Sequence, residues 1–543
     1  SGTGREACRY QTPLCVDVFG SKTVVHPNSG WSCLIPRKAV MSWILGSGYV
    51  EYDYAAGLPL RYNDPKWTPP KYMLIWGRDP LRCNADGLWG HSLIELMKQG
   101  TKLITVDPRA NWLATRSEYH LQLRPGTDAA LALAILHAVI KSDKYDKEFV
   151  KKWCYGFEEL AERVAQYTPE WAEEITEVPA EDIYAVAECL TQKPVSGCFG
   201  LAIDQNPNCI QIGHALYSIF AVTGNLDIPG GLFLGQQSFF RGTAKKQESS
   251  EEEKFEGIGW KEFPAVPLMV NTTHPDTTLE ALETGKPYPI KFAFIQSTNF
   301  LASGIVVQPK RWYEAMRKLE FIVASDIFMN PTIAALADLV LPVSTSLEHD
   351  GIVMNNNGAQ PGQFGALIKV IDNYGETKSD LEIVLDLYHR LHPNSTDPRF
   401  KDIDSYLTND MAPAVKGAYT FSELKERVMG QYELEYLKYE KGLLRADGKP
   451  GFNTTTGKIE LYSTMLAALG EDPLPYYMEP KYSAISRPDL AKEYPLILTT
   501  GARRFTSFHS EHRMIKTLRE IHPWPTVQIN PKTAAENGII DGS

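Results

Sequence analysis

KYMLIWGRDP (Lys71–Pro80) and TKLITVDPR (Thr101–Arg109), with a helical stretch between them ending near Gly100, decide the fold class of this chain. An apolar strand, a polar turn, a helix and a second apolar strand ending in Asp make one βαβ unit of a parallel sheet. The same order returns far downstream as IKFAFIQSTN (Ile290–Asn299), the helical KRWYEAMRKLE, and FIVASDI (Phe321–Ile327). In an open parallel sheet, ligands sit beyond the carboxyl ends of the strands, and an acidic residue after a later strand accepts bonds from a ribose or base. Asp107 and Asp326 hold those positions, so each unit reads as a nucleotide half-site. The turns GRDP and STNF carry neither a GxGxxG fingerprint nor a P-loop lysine, which argues against an ordinary NAD site and an ATP P-loop. The plainer alternative is two βαβ units with no ligand, since buried strands ending in Asp are common in α/β proteins.

A chain of 543 residues is too long for one core, and about three or four domains or domain-like layers are expected. With 43% hydrophobic and 22% charged residues it is globular, and a net charge of -11 argues against a nucleic-acid partner. The longest apolar runs, such as LALAILHAVI (Leu131–Ile140), fall short of the ~20 residues of a membrane span, so no transmembrane segment is expected in this chain. Eight cysteines form no CxxC pair, so neither a zinc ribbon nor a local iron–sulfur motif is encoded. The ends read as cuts: SGTGREACRYQ looks like a βα unit without its strand, and PTVQINPKTAAENGIIDGS stops at a turn. The expectation is an internal fragment of a longer protein.

Between these landmarks, the Pro and Gly content of YVEYDYAAGLPLRYNDPKWTPPKY forbids a long helix. RPGTDAALALAILHAVIKS leads into a helix read as amphipathic, PVSGCFGLA is a strand, and NPNCIQIGHALYSIFAVTGNL is a helix ending at IPGG. KKQESSEEEKFEG (Lys245–Gly257) reads as a solvated loop. PLILTTGARRF reads as a buried strand delivering a loop rich in donors.

Taken in order, GRDP, VDPR, RPGTDAAL, IPGG, STNF, ASDIFMNPTIAALADLVLPVS, TTGKIELYS and LILTTGARRFTSFHS form a collinear series over essentially the whole chain. In that series the chain resembles the molybdopterin oxidoreductases of the dimethyl sulfoxide reductase family, nearest to its acetylene hydratase and catechol dehydroxylase branches. The resemblance implies an α/β fold in which two related parallel-sheet dinucleotide-binding domains surround a shared cofactor crevice, followed by the start of a C-terminal β-barrel. The corresponding division is 1–31 with 285–372 for one guanosine dinucleotide, 32–284 for the other, a mixed connecting region 373–490, and a truncated pterin-binding barrel 491–543. It implies bis-molybdopterin guanine dinucleotide with Mo or W, and a 4Fe-4S cluster on an upstream segment outside this chain. Gly77, Arg78, Asp107, Arg109, Arg124, Gly126, Thr127 and Asp128 are expected at one dinucleotide, and Ser297, Asn299, Asp326 and Thr332 at the other. Thr500, Gly501, Arg503 and His509 correspond to the late pterin loop, where an Arg fork suits pyrophosphate or pterin. Thr127 and Asp128 also begin a helix, where a side-chain cap is worth about 1 kcal/mol without any ligand.

A lone cysteine in an apolar setting is usually inert packing. Cys33, in GWSCLIP, lies where this family places the protein ligand of its metal, and a thiolate is a suitable soft donor. Ser32 is the oxygen alternative. His26, in VVHPNSGW, is the nearest titratable neighbour and the candidate proton donor to a leaving hydroxyl, although a loop histidine is more often merely exposed. Trp31, Tyr49, Tyr52 and Tyr54 are candidates to line a funnel for a planar substrate, or else ordinary core aromatics.

The expected activity is reductive removal of oxygen or a hydroxyl from a small substrate, phenolic in the leading version, with electrons from an iron–sulfur subunit. A non-redox hydratase on the same cofactor is the alternative within the fold. From another class comes a non-catalytic electron-transfer scaffold, whose signature would be loss of both Cys and Ser at the ligand position; WSC retains both. A dinucleotide-dependent dehydrogenase would need a glycine fingerprint after an early strand, and GTGREA has no strand before it.

Overall fold

β1 (Tyr72–Trp76), YMLIW, is buried at every position, as expected of a parallel strand covered on both faces. The computed structural model describes residues 10–21, 23–26, 34–83, 88–235, 257–270, 272–303, 306–354, 364–415, 417–430, 434–500, 504, 506–507, 512 and 515–543. α1 (Leu88–Lys98) leads from β1 into β2 (Lys102–Val106), which runs parallel to it with Trp76 opposite Val106. β3 (Tyr119–Leu121) lies outside β2 and β4 (Val195–Phe199) lies on the other side of β1, giving the all-parallel order β3-β2-β1-β4.

The second unit repeats this plan. β5 (Phe292–Gln296), β6 (Phe321–Asp326) and β7 (Leu339–Pro342) are parallel in the order β7-β6-β5, so each unit places its third strand outside its second. The helix Pro309–Met316 joins β5 to β6. Backbone detail repeats as well. The residue after the first strand is left-handed in both units, Gly77 with φ 58° and Ser297 with φ 47°. Its N–H donates to the carbonyl of a residue at the end of the neighbouring strand, Val106 at 3.0 Å and Ser325 at 2.8 Å. Glycine takes this conformation freely; for serine it costs about 1–2 kcal/mol. At Gly77 a Cβ would also stand 2.4 Å from that of Ala202, so that turn has no room for a side chain.

The helix read as amphipathic, α2 (Asp128–Lys141), is instead buried nearly all round. It lies among the helices Pro169–Thr176, Ala180–Leu190 and α3 (Cys209–Val222), and a helix covered on every side needs no polar face. The first sheet, these helices and Tyr439, Phe452, Ile459 and Leu461 share one core. The second sheet has its own, built on Ile295, Trp312, Ile322 and Ile333. A third joins Tyr10, Leu14 and Val18 to Phe364, Leu381, Phe400 and Phe421.

The expected start of a C-terminal β-barrel is not confirmed among the described residues. Among the described residues of 491–543 there is no strand, only short helices, and Leu496, Ile497 and Leu498 are exposed rather than buried. A strand is stable only when its backbone groups pair with a neighbour, and no described residue pairs with PLILTT. The charged stretch 245–256 lies outside the described residues. Among the described residues no helix is long and apolar enough to cross a membrane.

Candidate functional site

Both sheets end in one side-chain device. Asp107 follows β2, and its Oδ1 accepts the Arg109 N–H at 2.8 Å while Oδ2 accepts Asn111 Nδ2 at 3.0 Å. Asp326 ends β6, and its Oδ1 accepts the Phe328 N–H at 3.1 Å while Oδ2 accepts Asn330 Nδ2 at 2.9 Å. Each Asn then accepts a backbone N–H three residues on, Ala114 at 2.9 Å and Ile333 at 3.0 Å. The spacing DxxxN was present in VDPRAN and SDIFMN, and it was the missed signal that the two turns are one design. Each carboxylate thus builds its own turn, and keeps further lone-pair capacity for a ligand.

Around the first turn the predicted residues come together. Asp128 Oδ1 accepts from Trp76 Nε1 at 2.8 Å, tying the start of α2 to the end of β1 beside Gly77 and Arg78. Burial raises the Asp128 carboxyl above its ordinary value, against the bonds from Trp76 and Asn206. Thr127 does not cap the helix: its hydroxyl donates to the Arg124 carbonyl at 2.7 Å, so the capping expectation is corrected. Arg78 lies over the Trp89 ring at 4.8 Å and pairs with Glu51 at 3.2 Å. Arg109 Nε stands 3.6 Å from Asp107, an ion pair too long for a hydrogen bond.

Arg124 is held elsewhere. Its fork bonds both Glu479 oxygens at 2.8 and 2.9 Å, and Pro480 packs beside Gly126, which has φ 90°. Burial would raise the Glu479 carboxyl, but Arg124, Ser483 and Tyr477 bring it down to about 2. A depressed carboxylate contributes stability above its unfolded value near 4.5, and that stability is lost as pH falls toward about 2. We expect Tm to fall over that interval in the parent and the fall to be smaller in Glu479→Gln, measured as Tm against pH. Equal slopes in the two proteins would show the pair to be inconsequential.

In the second half-site, Asn299 Oδ1 accepts the Thr332 N–H at 3.3 Å and its hydroxyl at 3.0 Å, and Thr332 Oγ1 accepts the Leu301 N–H at 3.1 Å. Ser297, Asn299, Asp326 and Thr332 therefore form one cluster at the carboxyl end of the sheet. In the first unit the place of Asn299 is taken by Asp79 and that of Thr332 by the apolar Leu113. Asp79 is 3% exposed, and among the described residues neither carboxylate oxygen meets a donor in good hydrogen-bond geometry. Burial raises it, against the charges of Arg109 and Arg82. The free acceptors of Asp79 suit the ribose hydroxyls or base N–H groups of a nucleotide, and the loosely paired Arg109 suits its phosphate, so these residues fit such a group.

His26 is half-buried, and burial lowers its pKa, which keeps the ring neutral near pH 7. It would have to gain its proton against that tendency. Tyr49 is buried, and Tyr52 and Tyr54 are fully buried, edge-on to each other and to Trp89, as core aromatics are. Thr500 is exposed. Trp31, Ser32, Cys33, Gly501, Arg503 and His509 lie outside the described residues. Among the described residues no group of three or more His, Cys, Asp or Glu is placed to hold a metal.

The sequence model of the molybdopterin oxidoreductases matches residues 40–390. The chain belongs to the molybdopterin oxidoreductase family. The family implies a pterin cofactor carrying molybdenum or tungsten. The chain is 32% identical over 474 residues to an acetylene hydratase of Syntrophotalea acetylenica, covering 82% of this chain and 62% of that protein. It is 29% identical over 471 residues to a dopamine dehydroxylase of Eggerthella lenta, covering 71% of this chain and 45% of that protein. The solved acetylene hydratase from Pelobacter acetylenicus superposes with a TM-score of 0.82 at 28% identity, over 98% of this chain and 72% of that one. The chain thus spans less than two thirds of the length of those two sequence relatives.

Proposed function

We propose that this chain is the catalytic part of a molybdenum or tungsten enzyme that binds two pterin guanine dinucleotides, one at each half-site. The observation that carries the reading is the duplicated DxxxN turn at the carboxyl ends of two parallel sheets. The dinucleotide contacts are Gly77, Arg78, Asp107, Arg109, Gly126, Thr127 and Asp128 on one side, with Arg124 behind them, and Ser297, Asn299, Asp326 and Thr332 on the other. Asp79 joins the first set. The division that goes with this reading puts 1–31 with 285–372; it is supported by Phe19 packing on Phe292 at 5.4 Å and by the Thr23–Tyr288 hydrogen bond at 2.9 Å.

Cys33 is the protein ligand of the metal in this reading, and Thr500, Gly501, Arg503 and His509 complete the pterin contacts. When bound, the metal centre supplies oxygen-atom and electron transfer. The leading reaction is reductive removal of oxygen or a hydroxyl from a small, phenolic substrate, the direction suggested by the dopamine dehydroxylase relative. His26 carries the proton. The eight cysteines form no pair spaced for a cluster, so the reading places the iron–sulfur electron donor on another segment or subunit. The similarity to acetylene hydratase favours a second reading, hydration without net redox change.

Protein from a host able to make the cofactor is expected to carry one Mo or W and two guanines, by metal analysis and chromatography of the released base. Neither metal nor pterin in that preparation would overturn the reading. Oxidation of a reduced dye on adding a catechol separates the reductase from the hydratase, which needs no electron donor.

A further inference from the structure

The loop GLAIDQNPN (Gly200–Asn208), just after β4, opens with the helical turn Leu201–Asp204, and its Asp204, Asn206 and Asn208 each reach a different part of the chain. Asp204 Oδ1 accepts the Arg37 N–H at 3.1 Å and Oδ2 accepts Arg37 Nε at 2.8 Å, while Arg37 also donates to the Phe199 carbonyl at 2.6 Å. Asn206 Nδ2 donates to Asp128 Oδ2 at 2.8 Å. Asn208 exchanges two bonds with the Met478 backbone, at 2.8 and 2.9 Å, next to the Glu479 that holds Arg124. Arg37 is 7% exposed and Asp204 3%, and burial raises the Asp204 carboxyl against the charge of Arg37 and a backbone bond from Leu34.

Two features make this more than packing. Arg37 lies in the first turn of the helix Ile35–Leu45, whose N-cap, Leu34, is left-handed at φ 68°, a conformation an L-residue holds only when its surroundings over-determine it. Leu34 directly follows Cys33 in the sequence. On the other side, Asp128 is bonded to Trp76 at the edge of the first half-site. A short loop with a rigid strand behind it therefore grips both the chain after the proposed metal ligand and the start of the helix that faces the first dinucleotide.

We propose that the loop Gly200–Asn208 is a positioning element that sets the metal-ligating segment against the first dinucleotide half-site, through Asp204 on Arg37 and Asn206 on Asp128. This rests on the reading of Cys33 as the metal ligand. A pair of buried, fully bonded partners resists displacement, because moving either one leaves a charge unpaired in a dry environment. Asp204 thus acts through Arg37 and touches no reacting atom.

The test uses the cofactor-loaded protein and compares Asp204→Asn, Arg37→Lys and Cys33→Ser with the parent by metal content, guanine content, X-ray absorption of the metal and turnover. Asp204→Asn keeps the shape but loses the charge, and is expected to keep metal and both guanines, to alter the metal's absorption edge or sulfur distances, and to slow turnover tenfold or more. Arg37→Lys keeps the charge but gives up the guanidinium that bonds Asp204 and the Phe199 carbonyl at once, and is expected to change the same spectrum in a smaller degree. It is read independently, so the decision does not hang on one variant's folding. An unchanged spectrum and rate in both variants, with only a lower Tm, would overturn the proposal and leave a structural ion pair. Cys33→Ser separates the two levels: if it leaves the sulfur coordination unchanged, the ligand reading itself fails; if it changes the coordination and the loop variants do not, only the positioning role fails.

Discussion

Cys33→Ala is expected to abolish turnover while leaving the fold and most of the pterin in place. In the proposed reading many separate contacts spread over both sheets would hold the dinucleotides, each worth roughly 1–3 kcal/mol, so removing one metal ligand would not release them. The change falls on the metal, whose coordination and redox behaviour follow the donor atom. Cys33→Ser sharpens the test, since an alkoxide oxygen is a harder donor than a thiolate. That variant is expected to retain metal with a shifted X-ray absorption edge and reduced turnover. If Cys33→Ala leaves both the absorption spectrum and the rate of the parent, the ligand is elsewhere, and Ser32 is the first residue to replace.

What could be read from the sequence was set by local patterns, and what could not was set by contacts between distant segments. YMLIW and FIVASD announce buried parallel strands because a strand covered on both faces has no reason to alternate. Asp107 and Asp326 were legible as strand ends, and the structure puts both at carboxyl ends of parallel strands. Local sequence does not say what Arg124 meets, because Glu479 is 355 positions away. Thr127 looked like a cap, and the tight turn through Gly126 sent its hydroxyl to Arg124 instead. Tyr52 and Tyr54 looked equally suited to a funnel and to a core; only the packing of Trp89 against them decides for the core. DxxxN escaped notice because Asn111 and Asn330 follow in polar turns where Asn is common for its own reasons.

Replacing Asp107 or Asp326 by Ala is expected to cost about 3 kcal/mol of stability in each case, the loss of two hydrogen bonds to a charged acceptor. Each substitution strands a backbone N–H, of Arg109 or Phe328, and the side-chain amide of Asn111 or Asn330. Asn at the same positions restores only one of the two bonds. Its oxygen can accept the backbone N–H, but its amide then faces another amide donor, and Asn111 and Asn330 cannot turn over without losing Ala114 or Ile333. A turn-building role and a ligand-binding role are separated by Asn111→Ala, which breaks the turn and leaves the carboxylate of Asp107 intact. If the half-sites hold one dinucleotide each, Asp107→Ala and Asp326→Ala each reduce the guanine released per protein from two toward one, and Asn111→Ala does so less. Should both Asp variants keep the parent's guanine content while Tm falls as it does in Asn111→Ala, the two carboxylates are turn-builders alone, and ligand recognition at the first half-site passes to Asp79, Arg78 and Arg109.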